Sequence, residues 1–173
     1  MSPYPQFDTQ RLILKPTDEE DAAFIYRLMN TPKWLENIGD RQIHNEETAR
    51  QYIQDRIGKQ FERLGYGNYT MIRKKDGTKV GSCGLYDRAG LAGIDIGFAL
   101  LPEYEGNGYA YEASLCLMQV AREEFGLRQL SAITIKTNEA SQGLLEKLGL
   151  AFVEYITLPG DSEELMLYRI TFK

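Results

Sequence analysis

Only two cysteines, one histidine and one tryptophan occur in the 173 residues. Cys83 and Cys116 stand 33 residues apart, without Cys-x-x-Cys spacing and without a histidine beside either. This excludes a disulfide framework and gives no pattern for a metal site, so two reduced thiols and no metal are expected. The opening Met1-Ser2-Pro3-Tyr4-Pro5-Gln6-Phe7 has no basic segment leading into an apolar one. No apolar run approaches the roughly 18 residues that a membrane span needs. A cytoplasmic protein with no membrane partner is therefore expected. Positive charge is not in excess either: 20 Lys and Arg stand against 25 Asp and Glu, a net −5. Gripping a phosphate backbone takes clustered cations, so no nucleic-acid partner is expected. The longest basic run, Arg73-Lys74-Lys75, meets Asp76-Gly77 at once and reads as a solvated hairpin.

Apolar residues at 43% and charged residues at 26% describe an ordered globular chain. A chain of this length forms one domain, residues 1–173, that buries roughly 70% of its unfolded surface and needs no covalent staple. Arg11 to Lys15, closed by Pro16, reads as a strand. Thr17-Asp18-Glu19-Glu20 has capping-box spacing, Thr17 with Glu20, ahead of a helix bearing Phe24, Ile25, Leu28 and Met29 on one face and ended by Thr31-Pro32. A second helix spans about 45–64, with Gly58 inside it. Strands at 68–73 and 79–86 flank the Asp76-Gly77 turn, and Ile94 to Leu101 alternates with period two. A helix follows from 108 to 125, then a strand at 129–135, and a helix from Asn138 to Leu148 with Asn138 as N-cap. Two last strands, near 150–156 and 164–172, flank Pro159-Gly160-Asp161. The sum is a mixed α/β (α+β) domain of about seven strands and about four helices.

The segment that carries chemistry is Leu101-Pro102-Glu103-Tyr104-Glu105-Gly106-Asn107-Gly108-Tyr109-Ala110-Tyr111-Glu112-Ala113. It joins an apolar strand to a long helix through Gly-Asn-Gly. Two glycines permit positive φ and close approach of a ligand to the main chain. The first turn of a helix offers unpaired N–H groups and the positive end of its dipole, so the junction is a candidate phosphate cradle that needs no lysine. Two sharper phosphate motifs fail. No Gly-Lys-Ser/Thr occurs anywhere, and Tyr111 stands where a dinucleotide fingerprint requires its third Gly or Ala.

The junction resembles the pyrophosphate loop of the GNAT acetyltransferases, Gln/Arg-x-x-Gly-x-Gly/Ala. Its six positions fall on Glu105, Gly106, Asn107, Gly108, Tyr109 and Ala110, with Glu in place of the leading Gln or Arg. The likeness runs through nearly the whole chain in the family's order. It takes in Thr9–Leu14 with Thr17–Ala22, Ile96–Leu100 with Pro102-Glu103-Tyr104, the Tyr109–Ala113 helix start, and Asn138-Glu139-Ala140-Ser141 ahead of Leu144–Gly149. In these stretches it looks like the branch that contains the ribosomal-protein N-terminal acetyltransferases.

The resemblance implies a GNAT-like fold, a twisted mixed sheet splayed into a V between strands 4 and 5, with acetyl-CoA in the opening. Main-chain groups of Phe98, Ala99 and Leu100 would pair with the pantetheine arm, and Glu105, Gly106, Asn107, Gly108, Tyr109, Ala110 and Tyr111 would surround the pyrophosphate. Asn138 matches a pantetheine-binding position, although an N-cap explains it equally well. Ser141 would lie nearby, with Leu144 and Leu145 as apolar walls. Leu145 also occupies the column where many relatives carry a tyrosine acid, so no general acid is assigned.

The reaction implied is direct attack of an amine on the thioester, with a main-chain N–H near Phe98 or Ala99 facing the oxyanion. Asp95 is the candidate base, and a carboxylate simply paired with a cation is the other reading of it. The acceptor would be a protein N-terminal α-amine or a small-molecule amine, and relatives suggest a possible homodimer. The alternative function is a non-catalytic acyl-CoA-binding or sensor module of the same fold. His44 has no partner at a meaningful spacing, and Trp34 either borders the acceptor cleft or is a core aromatic.

Overall fold

A computed structural model describes residues 2–173. Eight strands form one sheet in the order β1-β2-β3-β4-β5-β6-β8-β7. In chain order these are β1 (Phe7–Asp8), β2 (Leu12–Pro16), β3 (Asn68–Arg73), β4 (Lys79–Asp87), β5 (Ile94–Leu100), β6 (Gln129–Ile135), β7 (Ala151–Ile156) and β8 (Leu165–Thr171). The helices are α1 (Ala22–Leu28), α2 (Pro32–Asn37), α3 (Glu46–Tyr52), α4 (Lys59–Leu64), α5 (Tyr109–Glu123) and α6 (Glu139–Lys147). A wider π turn, Ile53–Gly58, joins α3 to α4, so the described residues carry five continuous α-helical runs.

Alternation decides which side of the sheet each residue serves. In β2 Leu12, Leu14 and Pro16 are buried, and Leu14 pairs in register with Met71 and Tyr69 with Cys83. This face lies under α5, where the Cys83 thiol meets the Ser114 hydroxyl at 3.7 Å. The opposite face presents Thr70, Ser82 and Asp95, all buried, with Thr70 toward the turn before α1. There Thr70 donates to the Asp21 carboxylate at 3.1 Å, and Lys15 and Lys79 close on the same carboxylate at 2.9 and 2.7 Å. Asp21 is fully buried, and these cations hold its carboxyl below the usual range against the opposing effect of burial.

Several expectations need correction. The strand count is eight, because the two-residue β1 pairs with β2 through Phe7↔Leu14 and Asp8↔Ile13. Such a pair is too short to carry a periodic signal. The first helix stops before Thr31-Pro32 as expected, but Pro32 also opens a helix the sequence did not show: it sits in the first turn of α2, and the Thr31 side chain accepts from the Trp34 N–H at 3.2 Å. The capping box is Asp18 with Asp21, one position beyond Thr17 with Glu20. Thr17 instead lies buried between Thr70 and Asn68, 2.9 Å from each.

The feature that matters most is the seam between β5 and β6. β5 pairs with β4 at seven positions from Asp87↔Ile94 to Gly81↔Leu100. With β6 it pairs in parallel at one, Asp95↔Ser131. Beyond Asp95 the two strands diverge, leaving that edge of Phe98, Ala99 and Leu100 without a neighbouring strand. Counted without the short β1, this is the splay between strands 4 and 5 that the resemblance implied.

Candidate functional site

The mouth of the splay is the β5–α5 junction. After β5 the chain makes a short turn at Pro102–Tyr104 and reaches Gly106 and Gly108, both at φ +80°. A Cβ on Gly106 would meet nothing within 4 Å, so the main chain there is open. One on Gly108 would stand 3.4 Å from the Arg11 guanidinium and in a backbone region that L side chains resist. Gly108 is the N-cap of α5 and supplies no capping side chain. The first helical hydrogen bond runs from Glu112 N–H to the Gly108 carbonyl at 3.0 Å. Among the described residues no acceptor takes the N–H groups of Tyr109, Ala110 or Tyr111. The result is an open, uncapped helix start, which suits a diphosphate.

The side chains of this loop face elsewhere, which leaves the work to its backbone. The Asn107 amide donates to the Tyr104 and Glu105 carbonyls at 3.1 and 3.3 Å and so braces the turn. Tyr109 is buried, with the Arg11 guanidinium 4.6 Å above its ring. The Tyr111 ring carries the Lys147 ammonium at 4.1 Å, linking α5 to the end of α6. Glu112 anchors the helix start by accepting from the Arg11 N–H at 2.8 Å and its guanidinium at 2.7 Å. Glu105 ion-pairs with Lys33 of α2, and Glu103 with Arg27 of α1.

At the apex, Asp95 is 1% exposed and held by the Arg88 guanidinium through two bonds of 3.2 and 3.1 Å. Burial pushes its carboxyl above the usual range, and Arg88 restrains the rise. Arg88 in turn lies 5.6 Å from the Tyr86 ring centroid. That ring lies back over Gly84 and Gly97, where added Cβ atoms would approach it to 2.5 and 3.0 Å. Its hydroxyl donates to Asn68. Tyr86 thus paves the side of the splay away from α5, and two glycines make room for it.

On the β6 side, the Asn138 side-chain oxygen accepts from the Ser141 N–H at 3.2 Å and caps α6. Its amide nitrogen donates to nothing among the described residues. Ser141 and Leu144 are half-buried, whereas Leu145 is 1% exposed and belongs to the core. His44 is exposed, far in role from Cys83, whose buried thiol is pushed up to about 12. Trp34 is half-buried on α2. Sequence reasoning missed Arg88, Tyr86, Lys33 and Arg11, because each matters only through a partner brought near by folding. The Gly84 and Gly97 pair was the one local trace of Tyr86.

A sheet splayed after one residue pair, with a bare helix start at its mouth, is the arrangement that the resemblance to the acetyltransferases implied. The family model "Acetyltransferase (GNAT) domain" matches residues 11–151, and the chain belongs to that family of N-acetyltransferases. It is 26% identical over 147 residues to the uncharacterized N-acetyltransferase YoaA of Bacillus subtilis, covering 84% of this chain and 82% of that one. It is 27% identical over 186 residues to the FsC-acetyl coenzyme A-N(2)-transacetylase of Aspergillus fumigatus, covering 96% and 76%. The fold superposes with a TM-score of 0.81 and 18% identity on RimL, a ribosomal L7/L12 alpha-N-protein acetyltransferase in complex with coenzyme A, over 97% of this chain and 98% of that one. No helix among the described residues is long and apolar enough to cross a membrane.

Proposed function

We propose that this single domain, residues 1–173, is an acetyl-CoA-dependent N-acetyltransferase whose acceptor is an α-amine, on a protein N-terminus or a small molecule. The observation that carries the reading is the set of unclaimed N–H groups at Tyr109–Tyr111, beside the open Gly106, at the mouth of a splay with a strand missing. Acetyl-CoA supplies the activated thioester. Gly106 to Tyr111 hold its diphosphate with peptide groups, and the free edge of Phe98, Ala99 and Leu100 pairs with the extended arm in the manner of an added strand. The Asn138 amide nitrogen, without a partner among the described residues, and the half-buried Ser141 would meet the arm from the β6 side. A main-chain N–H at Phe98 or Ala99 faces the carbonyl oxygen and stabilises charge as it develops there.

A base role for Asp95 requires one of its oxygens to leave Arg88. An α-amine, with a reference pKa of about 7.7–8.0, needs little such help, whereas a lysine at about 10.4 needs much more. That difference favours an α-amine acceptor. The names of two relatives point the same way, one an alpha-N-protein acetyltransferase and the other an N(2)-transacetylase. The paired Asp95 and the core position of Leu145 favour the second reading, a module that binds an acyl-CoA without turning it over.

Thiol release from acetyl-CoA, followed across a panel of peptides and small amines, tests the proposal, with calorimetric titration of CoA beside it. Turnover with α-amines and not with Nε-amines is expected. Binding without turnover supports the sensor, and absence of CoA binding removes both readings.

A further inference from the structure

The loop that would receive a diphosphate is acidic where the family pattern is cationic or neutral: Glu105 stands in place of Gln or Arg. A carboxylate beside a phosphate repels it, unless another group neutralises it. The structure supplies that group from an unexpected element. Lys33 of α2 reaches Glu105, and this is the one polar side-chain bond that α2 makes outside itself among the described residues. No side chain of α2 is fully buried, and the Lys33 side chain is 61% exposed, so the ammonium is free to swing on its four-carbon stem.

On the acetyl-CoA reading above, we propose that Lys33 is a ligand of the cofactor's diphosphate, held beside its site by Glu105. When the diphosphate arrives it competes with the Glu105 carboxylate for the ammonium. The bound cofactor then draws on α2, whose next residue is Trp34. Two like-charged groups, the carboxylate and the diphosphate, share one cation. The pair therefore has opposite effects from its two ends: Lys33 strengthens cofactor binding and Glu105 weakens it.

That opposition is the test. CoA, dephospho-CoA and pantetheine are titrated calorimetrically into the folded protein and its variants, and the fluorescence of Trp34, the chain's single tryptophan, is followed in the same titrations. Lys33→Met should weaken CoA and dephospho-CoA alike, by about 3-fold to 10-fold, as expected of one charge-assisted contact at a wet surface. Glu105→Gln should tighten both by about 2-fold to 5-fold. Neither variant should alter pantetheine, which lacks the diphosphate. CoA should change the Trp34 emission in the parent and lose that effect in Lys33→Met.

If Lys33 and Glu105 only tie α2 to the loop, both variants weaken CoA and the double variant is no worse than either; that result overturns the proposal. A Lys33→Met effect that vanishes with dephospho-CoA also overturns it, by assigning Lys33 to the 3′-phosphate. A parent protein that binds no CoA at all removes the acetyltransferase reading instead, so the two failures are distinct.

Discussion

Replacing Arg88 with Met removes the only side chain that meets the Asp95 carboxylate among the described residues, and leaves an acid that is 1% exposed. Breaking a buried ion pair from one side typically costs about 3–5 kcal/mol. Two features set the figure here. The Arg88 side chain is 30% exposed, so solvent already reaches the pair from the cation's side, which favours the lower end. The stranded carboxylate can also escape by taking a proton, at about 1.4 kcal/mol for each of roughly three pH units between a reference pKa of about 3.9 and pH 7, a ceiling near 4 kcal/mol. A loss of about 3 kcal/mol at pH 7 lowers Tm by about 6–12 °C in a domain of this size.

The sign with pH follows from the direction of the shift. Asp95 titrates above its usual range when folded. Its contribution is therefore fully present below the unfolded value of about 3.9 and is lost as pH rises through the folded one. Removing Arg88 removes the main influence that lowers the folded value, and so widens the window of loss upward. The Tm deficit of Arg88→Met should be largest near pH 8 and should fall to less than half near pH 5, read by calorimetry or circular dichroism. Adding Asp95→Asn should restore much of the loss and flatten its pH dependence. A deficit that is constant from pH 5 to pH 8, or a double variant no better than the single, refutes the account.

Other residues give shorter tests. Gly108→Val forces a β-branched side chain into φ +80° beside the Arg11 guanidinium, at a cost of about 1–2 kcal/mol in backbone strain alone; a folded variant that still binds CoA normally would sink the cradle. Asp21→Asn should destabilise by about 2 kcal/mol at pH 7, discounted for the partial exposure of Lys15 and Lys79. Because the Asp21 carboxyl is depressed, its stability is present above about pH 3.9 and is lost as pH falls through the folded value, so parent and variant should converge in acid melts. Cys83, its thiol pushed up to about 12, should resist iodoacetamide at pH 8 until the chain unfolds, and Cys83→Ala should leave turnover intact.

The sequence revealed most where chemistry is local. The Asp76-Gly77 hairpin, the alternation of Ile94–Leu101, the Gly-Asn-Gly junction and the Asn138 cap depend on neighbours a few residues away, and all four stand at their expected places. Helix α2 was hidden because six residues with no fully buried side chain leave no apolar stripe. Thr17 and Asp18 both satisfy the capping rule in sequence, and the choice fell to Asp18 because Thr17 is taken by Thr70 and Asn68, more than fifty residues on. The Arg88–Asp95 pair spans only seven residues, yet the intervening loop decides whether the two side chains meet.

The single pairing of Asp95 with Ser131 also bears on how the molecule assembles. Strands β1 to β5 run through residues 7–100 and strands β6 to β8 through 129–171, so each half of the sheet is contiguous along the chain. During synthesis the first blade can assemble before the second leaves the ribosome, its β2 and β3 meeting across the helices that separate them in the chain. The two then meet like scissors at one pivot, with α5 as the strap between them. A guest drawn out along the gap would bond both blades where the polypeptide itself joins them at one residue pair.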